Sequence, residues 1–477
     1  MTSHAFPRAC VTIAIALTGC TTTPRTLAGP AAEIRALTGA RTRAVWVQGD
    51  GTDPFAAGDR LILMGLDTDD QRGERVILSQ RRSYVKPLMT RKGDRIVFSS
   101  RPDPGPPEVF IVNWDGSGLK RIASGFALAV WQDPADRREW IYVGTDHRKA
   151  GFRTVSRMRL DDPSVRELVW DKTMVSGDTF QVSADGRLAG GLFPWPEAGV
   201  AELPNRSWRK LGEGCWTSLT DAGGRLFWYF DGSHRNLTLV DVATDRRWTV
   251  GINQVPGFRN DEVYHPRWTN HPRFLVMSGP YNIGAPDANK VRGGGTQAEV
   301  YLGRFGADFT TVEAWARVTH NSGGDSYPDV WIDRDRSPHP VRASGTIGPG
   351  PSGRQTTSSG AGAAAAKDSG RVVLEARLVR PGSIPSPQAI APYRHALVAS
   401  VYELVKVIEG TYSARQVRAA QWAIRDGRVL ADARRTVGTV YRLTLERYDD
   451  HPELEGERLI ADGDAPPLPL YYEVGAR

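Results

Sequence analysis

Four histidines carry the side chains best suited to holding a divalent metal. His265 and His271 flank Trp268, and His234 and His320 fall in nearby loops. Imidazole nitrogen suits such metals, and histidines gathered at one point could support metal-assisted elimination or hydrolysis. His265 and His271 lie on opposite sides of a predicted turn, so roles in turns and packing explain them equally well. Carboxylates are plentiful, yet Asp94, Asp185 and Asp221 recur at near-equivalent turn positions. That recurrence fits turn hydrogen bonding rather than acid–base work. The chain has no G-x-S-x-G nucleophile elbow, no P-loop and no dinucleotide fingerprint. No EF-hand calcium loop is evident either. The expectation is no resident cofactor, no metal and no assigned catalytic residue.

The three cysteines divide the chain differently. Cys10 and Cys20 lie in the first twenty residues, and Cys215 stands alone far downstream. Arg8 precedes a short apolar run, Val11 to Leu17, which is too short to span a bilayer and has the layout of a secretory signal. The segment ends Leu17-Thr18-Gly19-Cys20, which resembles a bacterial lipobox. The resemblance implies cleavage before Cys20 and acylation of its thiol and new amino group. The membrane would then be reached through lipid on Cys20. Thr21 is not the aspartate that commonly retains lipoproteins at the inner membrane, so the periplasmic face of the outer membrane is favoured. Cys215, beside Trp216, has no partner for a disulfide and is expected to be a buried, inert thiol.

Bulk composition narrows the partners. The 477 residues are 40% hydrophobic and 24% charged, with a formal charge of +7. That is ordinary globular composition for two or three domains. A basic balance favours anionic partners, but no lysine/arginine block stands out, and nucleic acid is not expected for an exported chain. An envelope protein or an anionic glycan fits better.

The elements that must position these residues repeat along the middle of the chain. Pro87 to Phe98 reads as a short strand, a polar Gly-containing turn and a strand of branched and aromatic residues. Related copies begin at Gln181, Ser218 and His265, a looser one at Val130, and a first strand alone at Tyr327. Aligning them places Met89, Trp131, Val182, Leu219, Trp268 and Val330 at one position, all apolar, as a shared core site requires. Trp131, Trp228 and Trp268 are accordingly expected to pack in the core. Copies spaced irregularly, each followed by short strands such as Glu108–Asn113 and Asn236–Asp241, describe a β-propeller. Six first strands can be found, but the last has no room for three partners. Ala44 to Gln48, Leu61 to Leu66 and Arg75 to Ser79 are unassigned strands near the start. The sixth blade is therefore expected to combine one C-terminal strand with three N-terminal ones, removing exposed edges.

Val109 to Gly118, VFIVNWDGSG, resembles the TolB-type propeller repeat. His265 to Trp268 and Ser183 to Gly186 are similar to that family's first-strand motif. The resemblance covers most of residues 41–338. It implies a propeller, and by family habit a surface that binds other proteins, although the chain lacks an obvious TolB-type N-terminal domain. Three residues before the shared apolar position stand Lys86, Leu128, Thr179, Trp216, His265 and Tyr327. The first strand of a blade is innermost, so its start lies near the central channel. Lys86, Thr179, Trp216, His265 and Tyr327 are thus the candidate channel-lining residues.

The expected organisation is a signal peptide (1–20), a tether (21–40), a six-bladed propeller (41–338), a Gly/Ser/Ala-rich linker (339–370) and a small C-terminal β-rich domain (371–477). In the last, Ala396 to Ile408, Gln416 to Ile424 and Tyr441 to Glu446 read as strands, and Asp426-Gly427 as a hairpin turn. A small barrel or a sandwich would accommodate them. The all-β reading leads to a membrane-tethered, non-catalytic binding scaffold. The alternative is a metal-assisted polysaccharide lyase or hydrolase acting at the channel, as in propeller lyases that hold a metal with histidines.

Overall fold

A computed structural model describes residues 29–334 and 371–475, apart from 53–55, 57, 71, 102–104, 149, 178, 221–224, 260, 282–294, 391–392, 452–453, 455 and 462–467. The expected signal, Cys20, the first eight residues of the expected tether and the expected linker lie outside the described residues.

Six four-stranded antiparallel sheets form the propeller. Blade 1 starts at Val85–Met89, blade 2 at Phe126–Gln132 and blade 3 at the short strand Gln181–Val182. Blade 4 starts at Cys215–Leu219 and blade 5 at Glu262–Trp268. Blade 6 is Gly324–Ile332 followed by Thr42–Gly49, Leu61–Asp67 and Glu74–Arg82. The closing pair sets Arg43 opposite Trp331 and Ala44 opposite Val330. Both ends of the propeller segment therefore share one sheet, as the strand count had required.

The repeat position is the packing position. Met89, Trp131, Leu219, Trp268 and Val330 are buried; Val182, on the shortest inner strand, is half-buried. Trp228 and Trp268 lie 4.3 Å apart between centroids and are both enclosed. The aspartates of the turns accept hydrogen bonds within those turns. Asp185 Oδ1 accepts the Arg187 N–H at 3.0 Å, and Asp94 Oδ1 accepts from Thr90 Oγ1 at 2.8 Å. Asp221 lies outside the described residues.

One expectation needs correction. The later part of the stretch read as a tether, residues 29–40, is ordered against the disc. Pro30–Thr38 is a helix, opened by Pro in its first turn and closed by Gly39 at φ +70°, where glycine accepts the left-handed backbone. Ile34 joins the apolar cluster of Trp46, Phe274, Val300 and Val330 between blades 5 and 6. Thr, Ala and Gly content suggested a tether, but one buried isoleucine face was enough to dock nine residues.

The C-terminal sheet closes on itself. Ala396–Glu409, Val372–Arg380, Val440–Arg447, Leu470–Glu473 and Gln416–Arg425 pair in turn, and the last pairs again with the first. Of the two architectures considered from the sequence, the barrel is the one formed. Its interior is filled by Leu374, Ala376, Tyr402, Val417, Leu443 and Tyr471. Ile390, Tyr393, Val398 and Ile424 of this part belong to the same apolar cluster as Trp216, Phe230 and Tyr264 of the propeller. The barrel is packed on blades 4 and 5 rather than hung from them.

Candidate functional site

The inner strands of four blades begin with the same local distortion. Lys86, Trp216, His265 and Tyr327 adopt φ of +51°, +43°, +55° and +51°. Left-handed backbone is uncommon for such side chains and costs of order 1 kcal/mol or more each. The pairing register shifts at each of these points, between Val85 and Leu88, Cys215 and Ser218, Tyr264 and Arg267, and opposite Val45 and Val47. These are bulges, which re-aim a side chain at the rim of a sheet. Three of the four residues are followed by proline: Pro87, Pro266 and Pro328. Proline disfavours the right-handed helical region for the residue before it and offers no N–H to the ladder, so the sequence supports the bulge locally.

Lys86, Thr179, Trp216, His265 and Tyr327 line one narrow cavity of about 20 Å³ at the channel. The ring of His265 stacks on Tyr327 with centroids 4.3 Å apart, and Trp216 stands edge-on to His265 at 4.6 Å. The Tyr327 N–H donates to His265 Nδ1 at 3.4 Å, which leaves the ring proton of the neutral imidazole on Nε2. Lys86 Nζ donates to the carbonyls of Leu128 and Gly177, at 2.8 and 2.9 Å. Its ammonium is thereby fixed between blades 1 and 2. Thr179 Oγ1 is buried and has no hydrogen-bond partner among the described residues. Leu128 contributes its carbonyl rather than its fully buried side chain.

A second ring lies two residues further along the inner strands. Gln181 and Arg267 line both this cavity and another of about 50 Å³ on the far side. Here three of the blades are stitched to the next at the shared apolar position. Asp329 Oδ2 accepts the Met89 N–H at 2.7 Å, and Gln181 Oε1 accepts the Leu219 N–H at 3.1 Å. Ser218 Oγ accepts the Trp268 N–H at 3.0 Å and donates to Gln181. Arg267 Nε is 3.5 Å from Asp329 Oδ1. Burial raises the Asp329 carboxyl above its ordinary value, and Arg267 draws it the other way. With Lys86 and Arg267 against one carboxylate, the channel has the polarity to receive an anion.

The four histidines are spread over four settings. His265 is in the channel, His271 packs edge-on to Phe274 in a blade 5 turn, and the His320 N–H bonds to Glu74. His234 lies at the barrel junction. No cluster of three or more His, Cys, Asp or Glu side chains that could hold a metal occurs among the described residues. The metal centre considered for the lyase alternative is therefore not assembled by these histidines.

The junction is the polar cluster that sequence reasoning missed. Arg458, from the barrel's short strand Arg458–Ile460, lies within 2.6 Å of both carboxylate oxygens of Glu262 in blade 5. The two side chains are 1% and 4% exposed. His234 Nε2 is 3.0 Å from the hydroxyls of both Tyr393 and Tyr264. Tyr393 OH donates to Cys215 Sγ at 3.1 Å, so the thiol is buried as expected and held by the barrel. Cys215 immediately precedes Trp216, and Tyr264 immediately precedes His265. The junction and the channel cavity are thus joined through adjacent residues on two inner strands. Nothing in the local sequence marks Arg458 or Glu262, because the pair exists only once barrel and disc have met.

No protein-family model matches the chain, and no curated protein matches it. Among solved structures it is similar to TolB from Acinetobacter baumannii, at 15% identity over 63% of this chain and 70% of that one, with a TM-score of 0.43. It is also similar to a prolyl endopeptidase, at 14% identity over 60% of this chain and 44% of that one, with a TM-score of 0.34. A third similar structure is hydrazine synthase of Kuenenia stuttgartiensis, at 12% identity over 67% of this chain and 50% of that one, with a TM-score of 0.42. The chain spans half or less of the length of the last two. These are likenesses of fold alone.

Proposed function

We propose that the chain is a non-catalytic binding scaffold of the bacterial cell envelope, tethered by lipid on Cys20 and presenting its propeller channel to an anionic segment of an envelope protein or glycan. One observation carries the reading. Four equivalent inner-strand residues of unlike chemistry share a left-handed backbone and gather, with Thr179, around one cavity. Strain repeated at the equivalent position of four blades, around one cavity, points to a role in recognition. The fixed Lys86 ammonium supplies charge, Trp216 and Tyr327 supply flat apolar surface, and the Thr179 hydroxyl supplies an unsatisfied polar group.

The test is site-specific photocrosslinking in intact cells. A photoreactive phenylalanine at position 179 is expected to give a discrete adduct that the same residue at Leu119, on the outer part of blade 1, does not give. Lys86→Met should weaken the adduct. Identical patterns from positions 179 and 119, or none from 179, would remove the basis for a channel ligand.

A further inference from the structure

The barrel carries a second cavity, away from the channel. It offers about 310 Å³ at one end of the barrel and is open to solvent, at the lower end of the roughly 300–1,000 Å³ of small-molecule sites. Its apolar lining is Leu378, Val398 and the half-buried Ile384, facing a polar side of Ser400, Gln421 and Arg435. It exists because the barrel's inward positions carry small side chains there. Ser400 lies two residues beyond Val398 on the same face, opposite Ala419, and Ala433 closes the side.

The polar groups of this cavity are organised rather than left over. Gln421 is 5% exposed, accepts from Tyr402 OH at 3.4 Å and donates to the Ala433 carbonyl at 3.1 Å. Ser400 Oγ accepts the Gly382 N–H at 3.0 Å. Arg435 is clamped between Glu473 at 2.8 Å and Tyr402 OH at 2.9 Å, so its charge is matched. Arg434, next to it on the cavity rim, is exposed and makes no hydrogen bond or ion pair among the described residues. An apolar slot ending at one uncompensated guanidinium matches an apolar chain that ends in an anion.

We propose that this end of the barrel binds a small amphipathic anion, an acyl chain terminated by a carboxylate or phosphate. The chain lies along Leu378, Ile384 and Val398, and the head group meets Arg434. Val398 and Ala433 also belong to the apolar cluster that continues into the propeller. Filling the cavity therefore stabilises the docked barrel.

Titration calorimetry of the full chain tests this with decanoate, using decyltrimethylammonium as the cationic counterpart. One decanoate per chain is expected, with a raised melting temperature and binding at least roughly tenfold tighter than the cation. Arg434→Glu, a surface change, is expected to weaken decanoate by a similar factor while the unliganded melting temperature stays put. Ile384→Trp, narrowing the slot, should exclude the chain. Phosphatidylglycerol and phosphatidylcholine vesicles separate the two sources of the ligand. Sedimentation with the anionic vesicles that Arg434→Glu abolishes identifies a membrane lipid; decanoate binding alone identifies a free acid. No saturable binding to decanoate or to anionic vesicles overturns the proposal, as does binding that Arg434→Glu leaves intact.

Discussion

Arg458 of the barrel donates from Nη1 to Nδ1 of His234 in blade 4, across 2.9 Å of fully buried space. The imidazole can accept that bond only if its proton is on Nε2, from which it donates to one of the two tyrosine hydroxyls. Burial, reinforced by the Arg458 charge, lowers His234 to about 4, although Glu262 beside it acts the other way. The junction is thus built around a neutral histidine, with Glu262 paired to the arginine and its Oε2 also 3.2 Å from His234 Nδ1.

Acid should loosen this junction. His234 stays neutral in the folded chain but protonates near pH 6.5 when unfolded, so the unfolded state binds the extra proton between about pH 6.5 and 4. Stability is complete above that window and falls as pH drops through it. Glu262, whose burial cost is outweighed by the Arg458 charge that holds it at about 2, adds a loss of the same sign from about pH 4.5 to 2. His234→Gln is expected to flatten the upper window of a melting-temperature profile and leave the lower one.

Asp325 should act in the opposite sense. It accepts from Trp46 Nε1 and Gln48 Nε2 at the closing seam of blade 6, at 2.9 and 3.0 Å. Burial raises it to about 7, so the folded chain holds a proton that the unfolded chain has released by about pH 4. Its contribution is full below about pH 4 and is lost as pH rises to about 7. In a difference profile, Asp325→Asn should remove a falling slope where His234→Gln removes a rising one.

Breaking the Glu262–Arg458 pair should be costly, and replacing it as a pair should not. Glu262→Ala leaves a guanidinium buried without its counter-charge, which costs about 3–5 kcal/mol. The joint change Glu262→Leu with Arg458→Met is expected to restore most of that stability in urea unfolding. A double variant as unstable as Glu262→Ala would show that the ions are required for more than mutual compensation.

Gly232 should separate docking from folding. A Cβ there would stand 1.6 Å from the Glu457 carbonyl oxygen, beside the bonds that Gly232 O accepts from Leu459 N and Arg458 Nη1. Gly232→Ala must push the barrel strand away while leaving the blade's own ladder in place. The expected calorimetric result is two melting transitions in place of one.

For the tether, Cys20→Ser should move the mature chain from the membrane fraction to the soluble one without altering its melting temperature. Unchanged fractionation would exclude lipid on Cys20 as the anchor.

What could be read from the sequence was what each blade repeats for itself. Trp268 and Val330 announce the core because every inner strand needs an apolar residue at that point, and Asp185 announces a turn because its partner Arg187 is two residues away. Counting strands then settled blade 6. The channel candidates came from register: Lys86, Thr179, Trp216, His265 and Tyr327 share one offset before the repeated apolar position. Ile34 gave no such signal, because a helix of nine residues is held by packing rather than by a pattern. Arg458, Glu262 and Tyr393 were illegible for a different reason. They belong to separate elements whose only relation is three-dimensional, and His234 looked like a loop histidine until the barrel covered it.

Blade 6 also sets an order of events. Trp46 and Asp325, bonded across the closing seam, are 279 residues apart in the chain. While the polypeptide emerges, Thr42–Gly49 has to wait with an unsatisfied edge until the last propeller strand has been made. Contacts of such long range form slowly, and a bare strand invites mispairing in the interval. The early strands of this protein are therefore the ones for which a chaperone would have most to do.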